Sequence, residues 1–162
     1  MKVGYWAPTL LGGLLVCVVG AYAQNDYSGG VYANSRGIAY PCNDTQFLAD
    51  QKAFESGKIT ADQLENVCGI VTSVLPEKKT TSGWHGYFYL QVAPGETIEI
   101  VSDLGEMTAP KWPWVAVGDT SSVRGRYYYD NDTSQGIDWT HHGTSSSWPY
   151  AGYVVVNGTK YQ

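Results

Sequence analysis

The sequence predicts a mainly β domain, a small antiparallel barrel or sandwich preceded by one or two short helices. From Cys68 onward, apolar and polar residues alternate in five to seven short runs that are separated by turn residues, a pattern typical of half-buried strands. No second alternation of strand and helix follows, so a parallel nucleotide-binding sheet is not expected. The eleven tyrosines and five tryptophans beyond residue 23 suit a pleated, half-buried surface.

The first 23 residues have the form of a secretory signal peptide. Lys2 precedes an apolar run over residues 10–20, and Ala-Tyr-Ala at 21–23 is a small-x-small cleavage signal. The apolar run is short for a membrane span, and nothing later is longer. We therefore expect the chain from Gln24 to be exported, extracellular or periplasmic, with no membrane segment after cleavage.

The charge of the chain after cleavage bears on its partners. Removal of Lys2 leaves nine basic and fifteen acidic residues, a net charge of −6. Lysines and arginines are scattered, whereas phosphate backbones are bound by clusters of them. General nucleic-acid binding is therefore not expected.

Two cysteines remain after the signal peptide, since Cys17 leaves with it. An even number of cysteines in an oxidising compartment predicts a disulfide between Cys42 and Cys68. The bond would close a loop of about 27 residues and stabilise the fold by about 3–4 kcal/mol. The alternative is a metal-binding pair, but neither cysteine has a histidine beside it.

Three Asn-x-Thr sequons begin at Asn43, Asn131 and Asn157. In a host that glycosylates exported proteins, these are candidate glycan attachment sites. The abundance of Asn and Thr in turns explains them equally well.

Two segments precede the predicted strands. Residues 24–41 are rich in Gly, Asn, Ser and Tyr, without a helical period, and predict an extended arm. Residues 42–67 predict a helical preface to a single β-rich domain over 42–162. Asn43 and Asp44 cap a helix that reaches Phe54 and ends at Gly57. Thr60-x-x-Gln63 has the form of a capping box and predicts a second short helix.

The predicted strands follow in order. "CGIVTSVLP" forms a strand that ends at Pro76, and "GWHGYFYLQVAPGETIEIVSDL" forms two strands joined at residues 93–95. "SVRGRYYYD" and "GIDWTHHG" predict two more, separated by a polar turn. "GYVVVNGTKY" predicts a hairpin at Asn157-Gly158, because Asn-Gly is the strongest short hairpin signal.

The three histidines are the catalytic candidates: His85, His141 and His142. If 136–143 is a strand, the two adjacent histidines point to opposite faces and do not chelate one metal without a bulge. Zinc needs three or four protein ligands, which three histidines and two oxidised cysteines do not readily supply. The sequence predicts no metal and no cofactor, and favours a structural role for these histidines.

Aromatic side chains and serines offer two further candidates. Trp112 and Trp114 in "KWPWV", with Trp148 in "SSWPY", would form a carbohydrate- or peptide-binding platform if they are exposed. Packing in the core explains the same residues. The chain contains no Gly-x-Ser-x-Gly elbow for a nucleophilic serine.

Residues 68–162 resemble the bacterial exported family known as domain of unknown function 3465. The resemblance rests on these residues: Gly69, Val71, Leu75-Pro76, His85-x-x-Phe88, Gly118-Asp119, Gly125-x-Tyr127, Gly136, Trp139-Thr140-His141-His142, Gly152, Asn157-Gly158 and Tyr161-Gln162. It implies a barrel similar to the oligonucleotide/oligosaccharide-binding (OB) fold. This chain departs from the family at four places, with Ser102, Asp138 and Trp148 where the family tends to have histidine and Gly143-Thr144 in place of Asp-Pro. A histidine site of the family would thus be only partly retained.

Three functions remain open. The favoured interpretation is a non-enzymatic structural or binding role. In its sharper form, residues 24–41 add a strand to the open sheet edge of a second copy and build an extracellular filament. The alternative is that the arm folds back on its own domain or stays disordered. A metal-dependent hydrolase or nuclease-like enzyme that uses the histidines, and a carbohydrate-binding module, are the other two functions.

Overall fold

A computed structural model describes residues 31–33 and 39–162. Within these residues the chain forms one helix, α1, and nine strands, β1 to β9. Their bounds are β1 (Val31–Ala33), β2 (Ala39–Pro41), α1 (Asp44–Glu55), β3 (Gln63–Thr80), β4 (Gly83–Ala93), β5 (Glu96–Asp103), β6 (Thr120–Asn131), β7 (Ser134–Asp138), β8 (Tyr153–Val156) and β9 (Thr159–Tyr161). Among the described residues, no helix has the length and apolar character needed to cross a membrane.

Strands β3 to β7 form a closed ring. Pairing runs β3-β4-β5-β7-β6, and β6 pairs back with the first half of β3. All contacts in the ring are antiparallel except that between β5 and β7. A five-stranded barrel in the order 1-2-3-5-4-1 is the topology of the OB fold. The predicted fold class, a small OB-like β-barrel preceded by a helix, is confirmed; β8 and β9 extend the sheet from β6.

The first strand of the ring is longer than predicted. Gln63 to Ile70 pair residue by residue with β6, so the second helix predicted at Thr60-x-x-Gln63 is wrong. Burial of Val67 in the core and these ladder bonds outweigh a local capping signal. The strand also continues past Pro76 to Thr80, because the proline lies where the pairing with β4 is interrupted, between Leu75 and Lys78.

The first predicted helix is confirmed as α1. The Asn43 side chain caps it by accepting a hydrogen bond from the Gln46 N–H at 3.2 Å. Gly57, with a φ of +68°, follows its C-terminal end. Phe47 and Phe54 of the helix pack edge-on against Tyr127 of β6, with ring centroids 5.0 and 5.3 Å apart. The helix thereby covers one part of the barrel wall.

The predicted disulfide between Cys42 and Cys68 is confirmed, with Cα atoms 5.6 Å apart. It joins the residue before the helix cap to β3. Beside it, the Asp44 carboxylate accepts a hydrogen bond from the Cys68 N–H at 2.8 Å. The helix is thus fixed to the barrel by a covalent bond and a charge-assisted hydrogen bond at the same point.

The barrel core follows the predicted alternation of side chains. Inward positions of β4 and β5 are fully buried: Phe88, Leu90, Val92, Ile98 and Ile100. The predicted turn at residues 93–95 joins these strands. The hairpin between β8 and β9 is also confirmed, and Asn157 and Gly158 have φ values of +47° and +83°, as a type I′ turn requires.

Part of the predicted arm is described. Strand β1 pairs antiparallel with β2, from Val31 with Pro41 to Ala33 with Ala39. Residues 1–30, including the predicted signal peptide, and residues 34–38 lie outside the described residues. Self-association through 24–41 therefore stays a prediction.

Candidate ligand-binding cleft

A cleft of about 510 Å³ opens on the outer side of the barrel. It lies where β4 begins and where β5 and β7 end, because β4 is antiparallel to β5 and β5 is parallel to β7. The strand register brings His85 opposite Asp103 and Arg126 opposite Asp138. All four side chains line the cleft, since they alternate with the inward core positions of their strands.

The segment "WTHH" forms the far wall, and it is not the strand that the sequence predicted. Strand β7 stops at Asp138, and Trp139 has a left-handed φ of +51°. Beyond this turn Thr140 is buried and its hydroxyl donates to the Val101 carbonyl at 3.0 Å. His141 is buried and lines the cleft, whereas His142 is exposed and outside the lining. The histidines are thus separated by a backbone turn rather than by strand alternation.

His141 is held in one tautomer. Its Nδ1 accepts a hydrogen bond from the Gly143 N–H at 3.1 Å, so the proton of the neutral ring lies on Nε2. The ring stacks on Trp139 with centroids 5.4 Å apart. Burial lowers the pKa of His141, and the nearby charges of Asp103 and Glu106 oppose that shift only in part. At neutral pH His141 therefore presents an uncharged N–H donor.

Arg126 and Asp138 form an ion pair in the cleft wall. The guanidinium donates to both carboxylate oxygens of Asp138, at 2.8 and 2.6 Å, and lies 3.4 Å from Asp62. The hydrogen bonds to Asp138 raise the pKa of Arg126 further. The same guanidinium lies 5.5 Å from the centre of the Trp139 ring, a cation–π contact. The charges of Arg126 and Asp138 are therefore balanced within the protein.

His85 and Asp103 form the opposite wall. The His85 Nε2 lies 3.7 Å from an Asp103 carboxylate oxygen and 3.5 Å from the Ser82 hydroxyl. A serine–histidine–aspartate relay needs serine and aspartate on different ring nitrogens. Here both approach Nε2, while Nδ1 is 3.2 Å from the Gly83 carbonyl. Ser82, His85 and Asp103 are therefore not arranged as a catalytic triad; the hydroxyl on the other side of the ring is that of Thr80, 3.3 Å from Nδ1.

The carboxylates of Asp103 and Glu106 carry the remaining charge. Asp103 accepts a hydrogen bond from the Gly105 N–H at 3.0 Å. Within the described residues neither carboxylate has a lysine or arginine within 4.0 Å. Because the Asp138 charge is balanced by Arg126, the cleft is negative at neutral pH.

No family model matches the chain, and no curated protein matches it at a significant level. The resemblance to domain of unknown function 3465 therefore stays a prediction.

Of the predicted site residues, the structure brings His85 and His141 together and leaves His142 outside. Trp112, Trp114 and Trp148 are 8%, 9% and 7% exposed, and the Trp112 N–H donates to the Leu75 carbonyl at 3.0 Å. Such burial leaves little ring surface for a ligand, and it agrees with the packing alternative. The Arg126–Asp138 pair was missed, because only the strand register, which the sequence does not reveal, places the two residues opposite each other.

The metal alternative finds no assembled ligand set. Among the described residues, no group of three or more His, Cys, Asp or Glu side chains is arranged to hold a metal ion. The histidines and carboxylates of the cleft face the same space, but they do not converge on one point. No metal-dependent step is derived from them.

The three predicted glycan sites are all exposed. Asn43 and Asn131 use their side-chain oxygen, to cap α1 and to accept from Thr133. The Asn157 oxygen likewise accepts from Thr120, and its amide nitrogen, to which a glycan would be attached, donates to Asp119 at 2.8 Å. Attachment at Asn157 would have to accommodate this bond, whereas Asn43 and Asn131 carry no such constraint. Glycosylation itself stays a prediction.

Proposed function

We propose that the chain is an exported, disulfide-bonded binding domain whose ligand site is the cleft between His85 and His141. One observation carries this proposal: the side chains of Asp103, Glu106 and His141, which can form hydrogen bonds with a ligand, line one open cleft of about 510 Å³. That volume lies in the range of small-molecule sites. In OB folds, the face of the second and third strands binds oligonucleotides and oligosaccharides; β4 and β5 are those strands here.

The charge of the cleft favours sugars over nucleic acids. Asp103 and Glu106 would repel phosphate groups, and the only arginine in the lining is already paired with Asp138. Export is supported by the disulfide, because such bonds persist in oxidising compartments, and by the form of residues 1–23.

A plugged cleft tests the proposal. Thr144 is an exposed residue of the lining, so Thr144→Trp would fill the opening without touching the core. Ser146→Trp, an exposed position in the same loop but outside the lining, is the matched control. We expect a glycan that binds the native protein to bind Ser146→Trp equally and Thr144→Trp at least about 10-fold more weakly, by titration calorimetry. Equal binding to both variants, or no binder in a broad glycan panel, would contradict the proposal.

Self-assembly is a second candidate, favoured by an open edge. Strand β9 pairs with β8 on one side only among the described residues, so its outer edge offers unpaired backbone groups to a further strand. Deletion of residues 24–38 should then reduce the oligomer size measured by light scattering. Unchanged size after deletion would remove this candidate and leave the cleft proposal intact.

A further inference from the structure

The negative charge of the cleft has no counterpart in the described part of the protein. The only cationic side chain within 4.0 Å of Asp103 among the described residues is His85, at 3.7 Å, and Glu106 is exposed at the rim. The one cation in the lining, Arg126, is engaged by Asp138 and Asp62. A ligand that brings a positive charge would therefore complement the cleft, and it would need no rearrangement of the existing ion pair.

His141 adds an independent requirement on the ligand. Its side chain lines the cleft although the residue is only 9% exposed. Nδ1 is occupied by the Gly143 N–H, and Nε2–H, on the other edge of the ring, has no hydrogen-bond partner among the described residues. Nε2 is not among the buried side-chain atoms that lack a partner, so it is accessible from the cleft, and a ligand that offers an acceptor there can take this hydrogen bond without displacing a protein group.

A ligand for this cleft must thus carry a cation and also accept hydrogen bonds. Sugar hydroxyls both donate and accept, which suits His141 Nε2–H as the donor and the carboxylates as acceptors. Thr144 and Ser82 also line the cleft, and their hydroxyl groups can both donate and accept hydrogen bonds. A simple amine supplies the charge but no acceptor, and a neutral sugar supplies acceptors but no charge.

We propose that the cleft binds an amino sugar with a free, protonated amine, such as an oligosaccharide of glucosamine. The ammonium group faces Asp103 and Glu106, and a hydroxyl oxygen accepts the hydrogen bond of His141 Nε2–H. This inference rests on the proposed function and names the ligand class of the same site.

Three compounds separate the contributions of charge and of hydroxyl groups to binding. Glucosamine tetramer carries both features, its N-acetylated form keeps the hydroxyl groups but loses the charge, and spermidine keeps charge without hydroxyls. We expect calorimetry at pH 6 to give the tightest binding for the free amine, at least about 10-fold tighter than for the other two, because a hydrogen bond to a charged group is worth that much or more. Binding should weaken in high salt.

Variants of Glu106 and Asp103 test whether the ammonium group of the ligand contacts these carboxylates. Glu106→Gln is an exposed, nearly isosteric change that should weaken binding of the free-amine tetramer by about 2- to 5-fold and leave binding of the N-acetylated form unchanged. Glu96→Gln, an exposed glutamate outside the lining, is the matched control and should have no effect. Asp103→Asn should act in the same direction as Glu106→Gln.

Each contrary result has a distinct meaning. Equal binding of the free-amine and N-acetylated tetramers, or no effect of Glu106→Gln, would overturn the amine assignment and leave the binding role in place. Spermidine bound as tightly as the tetramer would overturn it as well, because charge alone would then suffice. If neither tetramer binds but another glycan is lost in Thr144→Trp, the ligand class is wrong and the proposed function stands.

Discussion

A buried carboxyl group beneath α1 should make the stability of the domain depend on pH. Glu65 of β3 is 3% exposed. Burial raises its pKa to about 8, helped by a hydrogen bond with Asp50 of the helix and by the charges of Asp50 and Asp44. Two neighbouring carboxylates cannot both be charged at low cost, because like charges repel each other. We therefore predict that Glu65→Gln removes a cost that the native protein bears at neutral and alkaline pH.

The magnitude follows from the two pKa values. A group whose pKa is higher in the folded state, about 8 against the ordinary 4.5, stabilises fully below pH 4.5 and loses that contribution as pH rises to 8. At 1.36 kcal/mol per pKa unit, the full loss is about 5 kcal/mol. About 4 kcal/mol of it falls between pH 5 and pH 9. Glutamine does not titrate, so the free energy of unfolding of the variant, relative to the native protein, should rise by this amount over that range.

Urea unfolding followed by tryptophan fluorescence, at pH 5, 7 and 9, gives the free energies needed. The pH dependence, rather than the absolute stability, is the readout, because the substitution can change packing by a constant amount. Glu96→Gln, at an exposed position, removes the same charge and should leave the pH dependence unchanged. Asp44, whose pKa burial raises to about 6, contributes equally to all three proteins. A difference between Glu65→Gln and native protein that stays constant from pH 5 to 9 would refute the reasoning.

Three further perturbations test the fold. Reduction of Cys42–Cys68 should cost about 3.5 kcal/mol in urea unfolding, because the sequence separation of 26 residues sets the entropy of the open loop; no change on reduction would contradict the bond. Gly152→Ala should cost about 1–3 kcal/mol, since its new Cβ would meet the Trp139 carbonyl, and an unchanged melting temperature would show that the backbone yields there. Asn157→Gly should be tolerated better than Asn157→Ala, because φ is +47°; the reverse order would show that its side-chain bonds dominate.

The parts of the fold that could be predicted from the sequence are those that local chemistry decides. The Asn157-Gly158 hairpin, the turn after Ala93 and the helix capped by Asn43 each depend on a few consecutive residues. The prediction of a second helix was wrong for the opposite reason. Thr60 and Gln63 have helical capping spacing, but Gln63 pairs with Tyr127, more than sixty positions along the chain. Pairing over that distance is decided by the whole barrel and leaves no local signal.

The candidate site could be predicted only in its residue types. The sequence singles out the histidines, and His85 and His141 line one cleft. Their companions depend on which strands are neighbours: His85 meets Asp103 through the β4–β5 register, and His141 reaches the cleft only because Trp139 turns the chain after β7. A left-handed tryptophan is rare and leaves no mark in the sequence. The prediction that the two adjacent histidines point to opposite faces assumed a strand over 136–143, but β7 ends at Asp138, before it reaches them.

Asp138 decides the charge of the cleft through its ion pair. Its carboxylate accepts two hydrogen bonds from Arg126, at 2.8 and 2.6 Å, and thereby occupies the one arginine of the lining that would otherwise neutralise Asp103 and Glu106. Close backbone contacts fix the position of this pair, because a Cβ at Gly125 would meet the Asp138 carbonyl and one at Gly152 would meet the Trp139 carbonyl. The backbone packing that shapes the barrel therefore also sets the charge of the cleft.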